Sequence, residues 1–512
     1  MPYFQIPKFF YTTGSEAPFG ADNLGREFVF GFPPNFVEGQ TQPTIGIVVE
    51  AISTNVTSVK VNVPLRSLGF NFTLEPGSAP YDLVLPPDLT TTGVGSVTNA
   101  TVVVRSDQDV SVTAYNIKTF SMAMFTLLPI KYIGKEYFIA TLTEPRGGVV
   151  LLSAINEPTE VKIELTGRVE FRGEWHSPGS VIICSLRPYE TLKLEVLHDD
   201  IIGTRITGNT SIVVIIGGIC PNIPDGIPAC DHIAEQLVSF DRWGRLFLLS
   251  PFANRLSGYQ FQVVAGRNNT RVSLGNYERD LNMGEHYLGD IANQSMTSIS
   301  ATKPVMVMQY SKGTNSDYRQ GDPAMLLVTP WEQYVSRVEF PVSDFSAAGI
   351  SAVYIGVISE CNATHNIEFD KYKYNEVPWL FEYDLVTSDN RLICSRWVTI
   401  EEGSHVLKSE SATQVTGAGE TVFTALVYGV GGSIAYLYNA GFGLQPKTCI
   451  APSSDPPYKE IEVSCASQRR IDCSGSNPCQ NGGTCENDAC TCAAGFDGVS
   501  CSTGMDIYCN IC

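Results

Sequence analysis

Apolar and polar positions alternate along most of this chain. Val59, Val61 and Val63 are separated by Lys60 and Asn62, and Leu192, Leu194 and Val196 by Lys193 and Glu195. A period of two places one side of a segment on a core and the other in water, which predicts antiparallel strands. Segments able to carry a helix of about ten residues are hard to find.

The alternation recurs at long range. An apolar strand, a short polar turn, a threonine and an alternating strand follow one another in TIGIVVEAISTNVTSVKVNV from Thr44 and in VVLLSAINEPTEVKIEL from Val149. The same box returns from Tyr259 and from Ala352. Its threonines are Thr57, Thr159, Thr270 and Thr364. A second box, a polar turn followed by a strand, starts at Val102, Arg205, Ser298 and Gln414. A third trails the first three copies from Leu127, Gln236 and Leu327. Self-similarity at this period marks one structural unit used repeatedly. We expect an all-β fold of about four tandem antiparallel β-sandwich-like repeats, at 1–145, 146–255, 256–345 and 346–446. A less favoured arrangement makes the repeats blades or halves of one larger β-structure. A linker at 447–468, rich in proline and serine, precedes a small module at 469–502 and a tail at 503–512.

Charge and cysteine narrow the setting. The net charge of −19 leaves no basic footprint for nucleic acid or anionic lipid. Eight of the 15 cysteines lie from Cys473 onward, a density that means a disulfide framework and an oxidising compartment. Seven N-x-S/T sequons agree with secretion: Asn55, Asn71, Asn99, Asn209, Asn268, Asn293 and Asn362. Residues 1–14 lack the apolar run of a secretory leader, and the longest apolar run, Ser211 to Cys220, is half of what a membrane span needs. We therefore expect a secreted chain without a membrane span whose two ends are both incomplete.

The C-terminal cysteines Cys473, Cys479, Cys485, Cys490, Cys492 and Cys501 admit 15 pairings by spacing alone. Their spacing and the glycines of SGSNPCQNGGTC and GFDGVSC resemble an EGF-like domain. That resemblance implies pairing of Cys473 with Cys485, Cys479 with Cys490 and Cys492 with Cys501. So small a module needs such staples. Arg469 and Arg470 stand where calcium-binding members place acidic ligands, so no calcium is expected.

Other cysteines pair across loops. Cys220 and Cys230 flank the three-proline segment PNIPDGIPA, Cys361 and Cys394 share the fourth repeat, and Cys449 and Cys465 flank the linker. Cys184 has no evident partner, and Cys509 and Cys512 pair together or with residues beyond the chain. Cys230, Asp231 and His232 invite a zinc or thiol reading, but an oxidised cysteine is no nucleophile and one histidine supplies one ligand of four. No H-E-x-x-H, G-x-S-x-G or phosphate loop occurs, and Gly321-Asp322-Pro323 lacks the histidine of a GDPH self-cleavage site. We expect no enzyme activity and no cofactor. Within the stapled loop, Ile223, Asp225 and Ile227 are the candidate contact residues. The competing reading is a clasp between repeats, and burial of the two isoleucines distinguishes them.

GREFVFGFPPNF from Gly25, CPNIPDGIPACDHIAEQL from Cys220 and Trp243–Gly244 are similar to the N-terminal domain of the IgGFc-binding protein family, over about residues 20–445. The resemblance implies a glycosylated, non-enzymatic extracellular protein of mucus, matrix or cell coat. A protein or glycoprotein partner follows: mucin, matrix component or immunoglobulin Fc, held by sandwich loops. A structural component cross-linked through Cys184, Cys509 or Cys512 is the alternative, and a secreted hydrolase with an unrecognised site is the third.

Overall fold

The structure is a computed structural model. It describes residues 21–35 and 42–444, except 92, 94, 143–146, 197–198, 276 and 410–420, with four short strands beyond residue 483. Met1–Gln445 form one compact unit and Pro446–Cys512 a second. In the second, Thr484–Glu486 pairs with Ala489–Thr491, placing Cys485 opposite Cys490 on the backbone, and Phe496–Asp497 pairs with Thr503–Gly504. Cys449, Cys465, Cys473, Cys479, Cys492 and Cys501 lie outside the described residues.

The first repeat shows how the boxes fold. Its strands are β1 (Gly25–Phe30), β2 (Thr44–Ala51), β3 (Thr57–Val63), β4 (Leu68–Leu74), β5 (Tyr81–Leu85), β6 (Ser96–Thr98), β7 (Val102–Lys118) and β8 (Ser121–Thr126). The long β7 serves two sheet halves. Its first part pairs with β1 and β3, and its second with β2 and β8. The third repeat repeats this order around Thr297–Ser311. In the second and fourth repeats the long strand is divided, into Arg205–Gly208 and Ile212–Gly218, and into Gly403–Ser409 and Phe423–Gly431. Each half then forms its own sheet with the corresponding partners.

The repeated threonines explain why the box recurs. Thr57, Thr159 and Thr270 each begin a strand and are buried, and each hydroxyl donates back to a turn carbonyl, of Asn55, Glu157 and Arg267. Thr364 does the same to Cys361, but inside a 3₁₀ turn, Cys361–Asn366, ahead of its strand. The glycines of GREF and of Trp243–Gly244 are also structural. A Cβ on Gly25 would lie 2.5 Å from Pro129 Cβ, and one on Gly244 2.3 Å from Pro330 Cβ. Both stand where the first strand bulges across its long partner, opposite Val110 and Val305.

β8 and its counterparts Ile233–Gln236, Ala324–Leu327 and Ala435–Gly441 touch one another in a closed cycle. Every seam carries a buried hydrogen bond. Leu128 N donates to Gln236 Oε1 (3.0 Å), Leu327 N to Glu235 Oε2 (3.1 Å), Asn439 Nδ2 to Leu327 O (2.9 Å), and Thr126 Oγ1 to Asn439 O (2.7 Å). The cycle is fastened where the described part of the first unit begins and ends: Asp22 N donates to Phe442 O, and its carboxylate accepts Leu444 N. Apolar clusters run across the seams as well, Met122 and Met124 packing with Val335 and Tyr436. The repeats are thus packed about a shared axis, and burial between them stabilises the unit as a whole.

Candidate functional site

Each inner strand is entered through the same type of connection. These are 119–120 in the first repeat, 219–232 in the second, 312–323 in the third and 432–434 in the fourth. Because the inner strands are equivalent, the four connections converge at one mouth of the cycle. Asp231 joins three of them: Oδ1 accepts Met122 N (2.8 Å) and His232 N (2.7 Å), and Oδ2 accepts Ala435 N (3.0 Å). Gly313 N donates to Ile223 O (2.7 Å), and the Asn315 amide donates to Pro228 O, which adds the third repeat.

Cys220 and Cys230 are bonded, with Cα atoms 5.0 Å apart, as are Cys361 and Cys394. Within the first loop Ile223 is 0% exposed and belongs to the main apolar core, Ile227 is half-buried and Asp225 is exposed. Ile223 is therefore not a contact residue. It anchors the loop, which fits the clasp reading at that residue while the half-buried Ile227 fits neither reading fully, and what remains presentable is Asp225, Gly226 and Pro228. Iodoacetamide should leave Cys220, Cys230, Cys361 and Cys394 unmodified until reductant is added, and Cys184 unmodified until the protein is unfolded; modification of the native, unreduced protein at any of them, read by peptide mass, contradicts this.

The Cys-Asp-His cluster is taken up by structural roles. Cys230 is oxidised and both Asp231 oxygens accept backbone N–H groups. Burial pushes the Asp231 carboxyl well above its ordinary range despite those donors. Burial lowers His232 to about 4, so its ring is neutral at pH 7. Its Nδ1 lies 2.9 Å from Gly218 O, and a carbonyl only accepts, so the proton sits on Nδ1. Cys361, Asp384 and Cys394 also lie close enough to share an ion, but two of those three ligands are consumed by a disulfide. A cavity beside the axis, lined by Trp243, Phe247, Leu327 and Phe442, measures about 20 Å³, room for roughly one water.

The third repeat's connection is held by a buried ion pair that left no trace in the sequence. Arg255 and Asp317 form a buried ion pair (2.9 Å), and Arg255 also donates to Gly321 O (2.6 Å) and Gly313 O (3.1 Å). Two aromatic side chains of these connections face solvent: Phe120 of the first repeat, 71% exposed, and Tyr318 of the third, 90% exposed, beside Arg319 and Gln320. Both have positive φ, 60° and 56°. The available signal was a large aromatic in an otherwise polar turn, TF in KTFS and DY in SDYRQ.

The family model for IgGFc binding protein matches residues 123–429. This chain belongs to that family. It is 24% identical over 323 residues to the IgGFc-binding protein of Homo sapiens, an alignment spanning 61% of this chain and 6% of that protein. The family match runs from within β8 to the last long strand, and so includes both of the longer mouth connections, 219–232 and 312–323.

Six of the seven sequon asparagines, Asn55, Asn71, Asn99, Asn209, Asn293 and Asn362, are exposed, and Asn268 is half-buried. Cys184 is buried, and burial raises its thiol pKa, which removes it from the cross-linking residues the structural alternative needs.

Proposed function

We propose that this chain is a non-enzymatic, secreted extracellular recognition protein that holds a protein or glycoprotein partner at the mouth of the four-repeat cycle. The observation that carries this reading is the convergence of four connections on one buried frame, with Phe120 and Tyr318 held out in solvent. Exposed aromatics on preorganised connections lose little freedom on contact, and such residues dominate binding energy when a partner buries them. Family membership favours a binding role. The human relative is named for IgG Fc, and Fc, mucin and matrix glycoproteins form the candidate set. The C-terminal cysteines we read as an EGF-like, non-calcium-binding spacer with the pairing given above.

The test is surface-immobilised chain against IgG Fc, purified mucin and matrix glycoproteins. Binding to one of them is expected, and Phe120→Ala with Tyr318→Ala should weaken it at least about tenfold with thermal unfolding unchanged. Binding that survives both replacements in the folded protein removes the mouth from the interface.

A further inference from the structure

Four of the sequons occupy one place in the fold. The turn between β2 and β3, and its counterparts, is tied in every repeat to the middle of the long strand or to the break that divides it. Ser58 N donates to Asp107 Oδ1 (2.8 Å), Glu160 N to Asn209 Oδ1 (2.8 Å), Arg271 N to Thr302 Oγ1 (2.9 Å), and Asn366 Nδ2 to Thr421 Oγ1 (3.1 Å). This corner holds the turn threonines. In three repeats that threonine is also the third residue of a sequon: Asn55-Val56-Thr57, Asn268-Asn269-Thr270 and Asn362-Ala363-Thr364. The second repeat has Glu157 in place of the asparagine. Its sequon, Asn209-Thr210-Ser211, moves to the other strand of the same corner, where Thr210 Oγ1 meets Thr159 Oγ1 at 2.7 Å.

The geometry points to N-linked oligosaccharides on Asn55, Asn209, Asn268 and Asn362, one at the same corner of each repeat. This goes beyond the recognition reading and takes from it only the secretory route. In the transfer, the side-chain amide nitrogen of each asparagine bonds to C1 of the sugar of a lipid diphosphate-linked oligosaccharide. The C1–O bond to phosphate breaks, the lipid diphosphate leaves, and the nitrogen gives up one proton. The folded corner accommodates this product. Asn209 and Asn268 use their carbonyl oxygens structurally, accepting Glu160 N and Met283 N, and those oxygens remain acceptors after the nitrogen is substituted. Asn55 and Asn362 are exposed.

The corner is remote from the mouth. β2 begins opposite Ile117, beside the mouth, and ends opposite Val110, beside the corner, so its eight residues separate the two by about 25 Å. Among the sequons, Asn293 alone lies toward the mouth, following a strand whose end, Ile291, pairs with Tyr259 opposite Ser311. The four repeated sugars would therefore coat each repeat at the end away from the proposed contact surface.

The experiment is expression of the full chain with a secretion leader in animal cells, followed by enzymatic release of N-glycans in ¹⁸O water and peptide mapping. The supplied leader makes the result independent of where the protein acts. Isotope-labelled aspartate at all four positions is the expected result. An unlabelled asparagine at any of the four, in secreted protein, overturns the four-fold assignment.

Discussion

Replacing Arg255 with alanine should cost about 3–5 kcal/mol of unfolding free energy, the range for leaving one partner of a buried ion pair alone. The Arg255 and Asp317 side chains are 1% and 3% exposed. The carboxylate also accepts Leu256 N (2.8 Å) and Ser257 N (3.1 Å). Burial alone would raise the Asp317 pKa, yet the guanidinium and these donors outweigh it and hold it below the usual carboxylate range. Without Arg255 a buried charge loses its partner, and the carbonyls of Gly313 and Gly321 lose their donors. All three groups belong to the 312–323 connection, so the replacement should also weaken partner binding at the mouth. Replacing both partners with apolar residues, Arg255→Met with Asp317→Leu, should restore much of the stability, because no unpaired charge is then buried. Denaturant unfolding followed by tryptophan fluorescence reads both variants. A cost under about 1 kcal/mol for Arg255→Ala would mean that water reaches the pair and that it does not hold the connection.

Much of this architecture was legible because strand alternation and turn chemistry are local. The boxes around Thr57, Thr159 and Thr270 announce strands whose first hydroxyl closes the preceding turn, and they fold that way. The fourth box reads alike, but Thr364 falls inside the 3₁₀ turn Cys361–Asn366, and the strand begins only at Ile367, behind the disulfide-bonded Cys361. The closed cycle was not legible. Its inner strands, such as Ser121–Thr126 and Ile233–Gln236, are buried at every position, and buried strands lose the alternation that marks one face. The candidate loop failed at one residue for a related reason. Ile223 looks like an exposed apolar residue among prolines and is instead a core residue, since nothing local encodes the third-repeat backbone that closes over it. Arg255 and Asp317, 62 residues apart, leave no periodic trace at all.

Stability should fall as pH rises from about 4.5 to about 8, and Glu235→Gln should remove a large part of that fall. Glu235 lies on the inner strand of the second repeat, fully enclosed, with Oε2 accepting Leu327 N across a seam. Burial raises its pKa from the ordinary 4.5 to about 8, so the folded protein keeps it protonated at neutral pH. The unfolded chain releases that proton near pH 4.5. Between the two values the folded state binds the extra proton, so unfolding gains free energy as pH rises. The contribution is complete below about 4.5 and gone above about 8. Its size is roughly 3–5 kcal/mol over that window, from the shift in pKa. Asp231 and Glu50 act in the same direction, and His232, whose pKa burial lowers, acts in the opposite one, so only the difference between wild type and variant isolates the Glu235 share. Glutamine keeps an acceptor for Leu327 N and cannot ionise. The variant should match wild type near pH 4.5 and exceed it by several kcal/mol at pH 8.5, read as denaturant midpoints at both values. Parallel pH profiles for the two proteins would show that Glu235 ionises in the fold at its ordinary pKa, and that the axis is open to water.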